Sequence, residues 1–161
     1  MRGDPKVIEY LNEGLRMELT AINQYWLHYR LLENWGIKDL AKKWRAESIE
    51  EMVHADLLIA RTLFLEGNPN MQTLEKLRIG TTVPDILKND LAAEMESQAY
   101  YTEAAAYCHS VKDHVTRDLF EKLTHDEEGH IDFLETQIDL VGKLGVELYV
   151  QHHVGTLEGG E

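Results

Sequence analysis

Residues 47–56 read Glu47-Ser48-Ile49-Glu50-Glu51-Met52-Val53-His54-Ala55-Asp56, and within them Glu51 and His54 form a Glu-x-x-His pair. The pair returns as Glu127 and His130 in the stretch Asp126-Glu127-Glu128-Gly129-His130. Each pair also has a glutamate the same distance upstream, because 51 − 18 = 33 and 127 − 94 = 33. By chance, about one of the eight histidines would follow a glutamate by three positions. Requiring Glu18 and Glu94 as well makes accident a poor account of the pattern. Four carboxylates and two imidazoles in two equal halves suit a pair of metal ions held inside a symmetric helical scaffold.

The surrounding sequence supplies that scaffold. Asp4-Pro5 is a capping residue followed by an N1 proline, and Val7, Ile8, Leu11, Leu15, Leu19, Ile22 and Trp26 keep helical spacing after it. A first helix is expected over 5–35, ending near Asn34-Trp35-Gly36. A second, over 38–66, carries Ile49, Met52, Leu57, Leu63 and Phe64 before Glu66-Gly67-Asn68-Pro69 stops it. Thr82 and Pro84 open a third helix over 84–109, a fourth covers 113–142, and a short fifth covers 146–153. Gly155 to Glu161 reads as a loose tail. At roughly 3.3 Å per residue the 67–83 connection can span more than about 50 Å, whereas a 28-residue helix is about 42 Å long. The expectation is one all-α domain over 1–161: two antiparallel hairpins joined by a long crossover, plus the short C-terminal helix.

Composition narrows the function. With 16 Lys+Arg against 29 Asp+Glu the chain carries −13, a field that repels nucleic acid and anionic membrane and attracts cations. No run approaches the roughly 20 apolar residues of a membrane helix. Cys108 is the only cysteine, which excludes an intramolecular disulfide and any cysteine-based cluster, and a reducing cytoplasm is the expected location. Met1 leads directly into a charged amphipathic segment, not into the apolar core of a signal peptide.

Helix geometry brings the six residues together. Residues three apart lie about 60° apart around a helix, so Glu51 with His54 and Glu127 with His130 can each converge on one point. Glu18 lies 18 residues before Gly36 and Glu51 lies 15 after it; about Lys112 the second hairpin gives 18 and 15 again. All six groups should therefore meet at mid-bundle. Buried carboxylates without partners cost several kcal/mol each, so four facing one another demand cations or protons. Surface ion pairs with accidental symmetry are the bland alternative. An oxygen and nitrogen set without sulfur suits iron or manganese, with zinc also compatible.

Other residues stand beside this set. Tyr25 and Tyr101 each follow a candidate ligand by seven positions, so either hydroxyl could reach a ligand carboxylate. For Tyr101 the favoured reading is a core tyrosine satisfied elsewhere. Gly129 costs about 1 kcal/mol within a helix relative to alanine, which close packing beside the site would explain. Met52 lies about 100° from Glu51, on the side away from His54, and should point out of the bundle with Leu19, Ile22, Trp26 and Ile49. Alone it reads as subunit packing. His28, His109, His114, His125, His152 and His153 read as surface or packing residues.

Over essentially its whole length the chain resembles the bacterioferritins. The resemblance is carried by Gly3-Asp4, Lys6-Val7-Ile8, Ala21-Ile22-Asn23-Gln24-Tyr25, Asn34-Trp35-Gly36, Glu47-Ser48-Ile49, Glu51-Met52, His54-Ala55-Asp56, Leu63-Phe64-Leu65-Glu66-Gly67 and Asp126-Glu127-Glu128-Gly129-His130. Animal-type ferritins are not expected to show the second Glu-x-x-His, and rubrerythrins would add a cysteine-bearing module. The resemblance implies a ferritin-like four-helix bundle with a di-iron centre. In it Glu18 and His54 are terminal ligands of one iron, Glu94 and His130 of the other, and Glu51 and Glu127 bridge both. It implies ferroxidase activity, Fe(II) oxidised to Fe(III) by dioxygen or peroxide, in a cytoplasmic shell of twenty-four subunits built of two-fold dimers. That shell stores and detoxifies iron as an Fe(III) mineral, and a small ferredoxin returns electrons for release. It also reverses the reading of Met52, which becomes the axial ligand of a b-type haem iron shared between two subunits.

Departures bound the carry-over. Ala46 and Glu50 stand where some members use a histidine and an aspartate for an interior-surface iron site, so the carry-over stops short of that site. Phe133 and Leu58 stand where some relatives carry oxidisable aromatics. Two other functions fit the same residues: a di-iron or di-manganese peroxidase or oxygenase that stores nothing, and a haem-binding shell subunit with an idle metal site.

Overall fold

A computed structural model describes residues 1–157, and among them the secondary structure is helical throughout. Four long helices, α1 (Pro5–Asn34), α2 (Lys38–Phe64), α3 (Val83–Ser110) and α4 (His114–Leu144), are followed by the short α5 (Val146–Gln151). Their ends lie within two residues of those read from the sequence. Residues 158–161 of the expected tail lie outside the described residues. Just before the tail the Asp39 amide donates to the His153 carbonyl at 2.9 Å; Gly155 at its start lies against the Asp39 side chain, and Leu157 is fully exposed.

The caps follow from local chemistry. Asp4 accepts from the amides of Lys6 and Val7, with Pro5 as first helical residue, and Thr82 and Asp113 cap α3 and α4 in the same way. One stop differs from expectation. The left-handed residue after α2 is Glu66 (φ 61), not Gly67. Gly67 is needed for proximity instead: a Cβ there would sit 2.8 Å from Ile8 Cγ2 and 3.0 Å from Thr62 Cγ2.

The pairs α1/α2 and α3/α4 are the two hairpins, and α1 also packs on α3. The crossover between them runs along α1 and is pinned to it in order. Asn12 bonds Asn68 and Asn70, Thr20 accepts from the Glu75 amide, Gln24 from the Arg78 amide and His28 from the Gly80 amide. His28 is thus a fully buried structural residue. Its Nδ1 lies 3.0 Å from both oxygens of Asp90, which also accept from Gln24 and from the Trp44 indole at 2.8 Å.

Two apolar cores fill the bundle. Val7, Leu11, Leu15, Leu58, Phe120 and Leu123 belong to one; Leu32, Leu40, Trp44, Ile86, Leu87 and Leu134 belong to the other. Each fully buried side chain of this size contributes roughly 1.5–3 kcal/mol. Together they outweigh a polar layer whose partnerless carboxylates would each cost several kcal/mol.

Candidate metal centre

Glu18, Glu51, His54, Glu94, Glu127 and His130 converge, one each from α1 and α3 and two each from α2 and α4, and all six are buried. His54 Nδ1 lies 3.5 Å from Glu18 Oε1, 3.6 Å from Glu51 Oε2 and 3.4 Å from Glu127 Oε1. His130 Nδ1 lies 3.1 Å from Glu51 Oε1, 3.4 Å from Glu94 Oε1 and 3.5 Å from Glu127 Oε2. Glu51 and Glu127 therefore each offer one oxygen to either side, whereas Glu18 and Glu94 each face only one. Two overlapping sets of potential ligand atoms result, each lying within 4.8 Å.

The centre is incomplete as a hydrogen-bonded protein core. Glu18 Oε2, Glu51 Oε1, His54 Nδ1, both Glu127 oxygens and His130 Nδ1 have no hydrogen-bond partner. Buried polar atoms are almost always paired, so a cluster of orphans aimed at one volume fits a cation site. Without a cation, protons must carry the compensation. Burial and the adjacent Glu51 charge push the Glu18 carboxyl well above the usual range. Burial alone would lower both imidazoles; the surrounding carboxylates, Glu127 foremost, instead raise His54 strongly and push His130 up to about 12.

An outer ring of side chains orients the inner one. The Tyr25 hydroxyl donates to Glu94 Oε1 at 2.5 Å and the Tyr101 hydroxyl to Glu18 Oε1 at 2.6 Å. The second bond corrects the expectation for Tyr101, whose hydroxyl is on the site. The outer nitrogen of His54 pairs with Asp126 at 3.0 Å; that of His130 lies 3.1 and 3.2 Å from Glu47 and Glu50 without making a hydrogen bond to either. Sequence spacing missed these carboxylates because helix rotation, not chain separation, aims them. Gly129 is also corrected: it is exposed, and a Cβ there would touch nothing within 4 Å, so close packing does not explain it.

Met52 points away from the centre and is 63% exposed. It lines an outward groove of about 580 Å³ with Leu19, Ile22, Trp26, Ile49, Ile59 and Met71, while Arg45 and Asp56 supply charge. His109, His114, His125 and His152 are exposed, and His153 stacks edge-on with Tyr149. No helix among the described residues is long and apolar enough to cross a membrane.

Fold and centre together define a class. The ferritin-like domain family matches residues 8–144. Bacterioferritins of Brucella melitensis biotype 1 and Rhodobacter capsulatus are 54% and 53% identical over 161 residues, covering all of this chain and all of theirs. A bacterioferritin of Mycobacterium avium is 50% identical over 149 residues, 92% of this chain and 94% of its own. A solved structure of Rhodobacter capsulatus bacterioferritin, with a metal-free dinuclear site and haem iron in a crystallographic special position, superposes with a TM-score of 0.96. It is 54% identical and the match covers 98% of this chain and 99% of that one. The chain belongs to the bacterioferritin family.

Proposed function

We propose that the protein stores and detoxifies iron, oxidising Fe(II) at the six-residue centre and depositing Fe(III) inside a cytoplasmic homo-oligomeric shell of twenty-four subunits. The observation that carries this reading is the set of orphaned buried atoms at Glu18, Glu51, His54, Glu127 and His130. Hard anionic oxygens favour the higher oxidation state of iron. Glu18 with His54 and Glu94 with His130 serve one ion each, and Glu51 and Glu127, with an oxygen toward either side, serve both. Two Fe(II) supply two electrons to dioxygen, which takes up two protons to give hydrogen peroxide; with peroxide as oxidant, two Fe(II) and two protons give two Fe(III) and two waters. Tyr25 and Tyr101 hold Glu94 and Glu18 in place while charge builds on the ions.

Haem fits the outer groove. Met52 presents an exposed thioether amid apolar side chains and would hold the haem iron. A two-fold mate would supply the second thioether, a reading supported by the special position of haem iron in the Rhodobacter capsulatus relative. When bound, b-type haem supplies one-electron transfer, here from a small ferredoxin during iron release.

Stopped-flow Fe(II) oxidation by wild type and Glu94→Ala tests the centre: the variant should be much slower, and equal initial rates would remove the site from the reaction. Size exclusion after aerobic Fe(II) loading tests storage. A shell retaining no more iron than its dinuclear sites hold would instead support the peroxidase or oxygenase alternative.

A further inference from the structure

His28 is a fully buried imidazole that the metal centre does not use, and each of its ring nitrogens has a fixed partner. The Gly80 amide donates to Nε2 at 2.9 Å. An amide N–H can only donate, so Nε2 carries a lone pair and the ring proton sits on Nδ1, which faces both Asp90 oxygens at 3.0 Å. The hydrogen bonds thus specify a neutral histidine.

The elements packed around the ring leave it one charged neighbour. From α3 comes the Asp90 carboxylate, the only one within ion-pair distance of His28 among the described residues. The Trp44 indole from α2 and the Gln24 amide from α1 are uncharged, and both donate to Asp90. Two tyrosines are engaged elsewhere, Tyr25 of α1 with Glu94 and Tyr149 of α5 with Gln137. The crossover presents backbone at Gly80, while the guanidinium of Arg78 turns away to Glu96 at 2.6 and 2.7 Å.

The stretch that His28 holds also covers a cavity. Glu75, Lys76 and Arg78 of the crossover, with Thr20 and Gln24 of α1, line a narrow space of about 20 Å³, and Glu94 lines it too. That is room for about one water. Two buried acceptors tie the crossover down beside it: Gln24 takes the Arg78 amide at 3.0 Å and His28 takes the Gly80 amide. Asp90 holds both acceptors in place. The remaining tie, Arg78 to Glu96, is exposed to solvent and contributes little.

We propose that His28 is an acid-sensitive latch on the crossover, whose release opens this cavity toward Glu94 and lets cations pass; that last step rests on the metal-centre reading above. A proton from water adds to the Nε2 lone pair, while Nδ1–H stays on Asp90. Nε2–H and the Gly80 N–H are then two donors facing each other, so a buried bond becomes a repulsion. The crossover lifts at Gly80, whose amide turns to water. Loss of the proton restores the acceptor and closes the latch.

The test compares assembled, full-length wild type with His28→Gln, whose side-chain oxygen can accept from Gly80 and whose amide can donate to Asp90 with no proton to gain. Hydrogen exchange, corrected for the chemical rate, would be read at about pH 7.5 and about pH 5.5, either side of the ordinary histidine range. Wild-type protection at the Arg78 and Gly80 amides should fall about tenfold in acid, the scale of one lost hydrogen bond, and His28→Gln should not respond. Nitrogen NMR of histidine-labelled wild type should show Nε2 of His28 unprotonated at the higher pH, which needs no variant. Co(II) arrival at the centre, followed by ligand-field absorbance at the lower pH, should be several-fold faster in wild type than in His28→Gln, because protonation of the ligands is common to both. Equal wild-type protection at the two pH values, a fall that persists in His28→Gln, or a protonated Nε2 at the higher pH would overturn the latch. Equal Co(II) rates would overturn the opening toward Glu94 alone. No Co(II) uptake at either pH would overturn the metal-centre reading and the opening with it, leaving the latch to be judged by exchange.

Discussion

Asp126 pairs with the outer nitrogen of His54 at 3.0 Å, and Lys122 holds the same carboxylate oxygen at 2.6 Å. Burial would raise the Asp126 carboxyl, but Lys122 and His54 outweigh it and hold the group below the usual range. An anionic Asp126 keeps the proton of His54 on Nε2 and turns Nδ1 toward Glu18, Glu51 and Glu127. Asp126→Ala should weaken metal binding about 10–100-fold, the usual cost of losing such a partner. A Co(II) titration followed by ligand-field absorbance would measure it; unchanged affinity would leave Asp126 as surface charge.

Glu127 is fully buried with both oxygens unpartnered. Glu127→Gln removes at constant shape the charge that does most to hold protons on His54 and His130. Without metal it should destabilise the protein by about 3–5 kcal/mol, the cost of breaking a buried pair, and stabilisation by added Co(II) should shrink as well. Paired thermal melts would read both effects, and an unchanged or stabilised metal-free variant would contradict the reading.

The pH dependence has a definite sign. His130 is raised from 6.5 in the unfolded chain to about 12, so its contribution is fully present below pH 6.5 and is lost as pH climbs toward 12. Glu18 is raised too, so its contribution falls in the same direction from 4.5 upward. Metal replaces these protons and binds more tightly as pH rises. Metal-free protein should therefore lose melting temperature above about pH 6.5 while the gap to the Co(II)-loaded protein widens; a constant gap would refute proton compensation.

Asp90 accepts from Gln24 and Trp44 and faces His28, which in turn holds the Gly80 amide. Asp90→Ala strands these donors in the interior and should cost about 3–5 kcal/mol. Chemical denaturation would measure the loss, and hydrogen exchange should accelerate at the Gly80 and Arg78 amides. Slow exchange there in the variant would mean that something else holds the crossover.

Met52→Leu changes little volume and should cost under about 1.5 kcal/mol of stability. It should abolish the absorbance bands of reconstituted haem, and unchanged bands would refute the thioether assignment.

The sequence by itself determined the helices, the paired hairpins and the six converging residues. All of these follow from periodicity and spacing along one chain, and a helix converts spacing into direction at a fixed 100° per residue. It also placed Met52 outside the bundle on the same rule. Partnerships between helices were decided only by the tertiary structure. His54 meets Asp126 from 72 positions away, Tyr101 meets Glu18 from 83, and His28 meets Asp90 from 62. Such pairs depend on how each helix is rotated about its axis and how the crossover lies along α1, which no local pattern encodes. Tyr101 shows the difference: helical spacing turned it toward the centre, but only the packing of α3 against α1 put its hydroxyl on a ligand carboxylate.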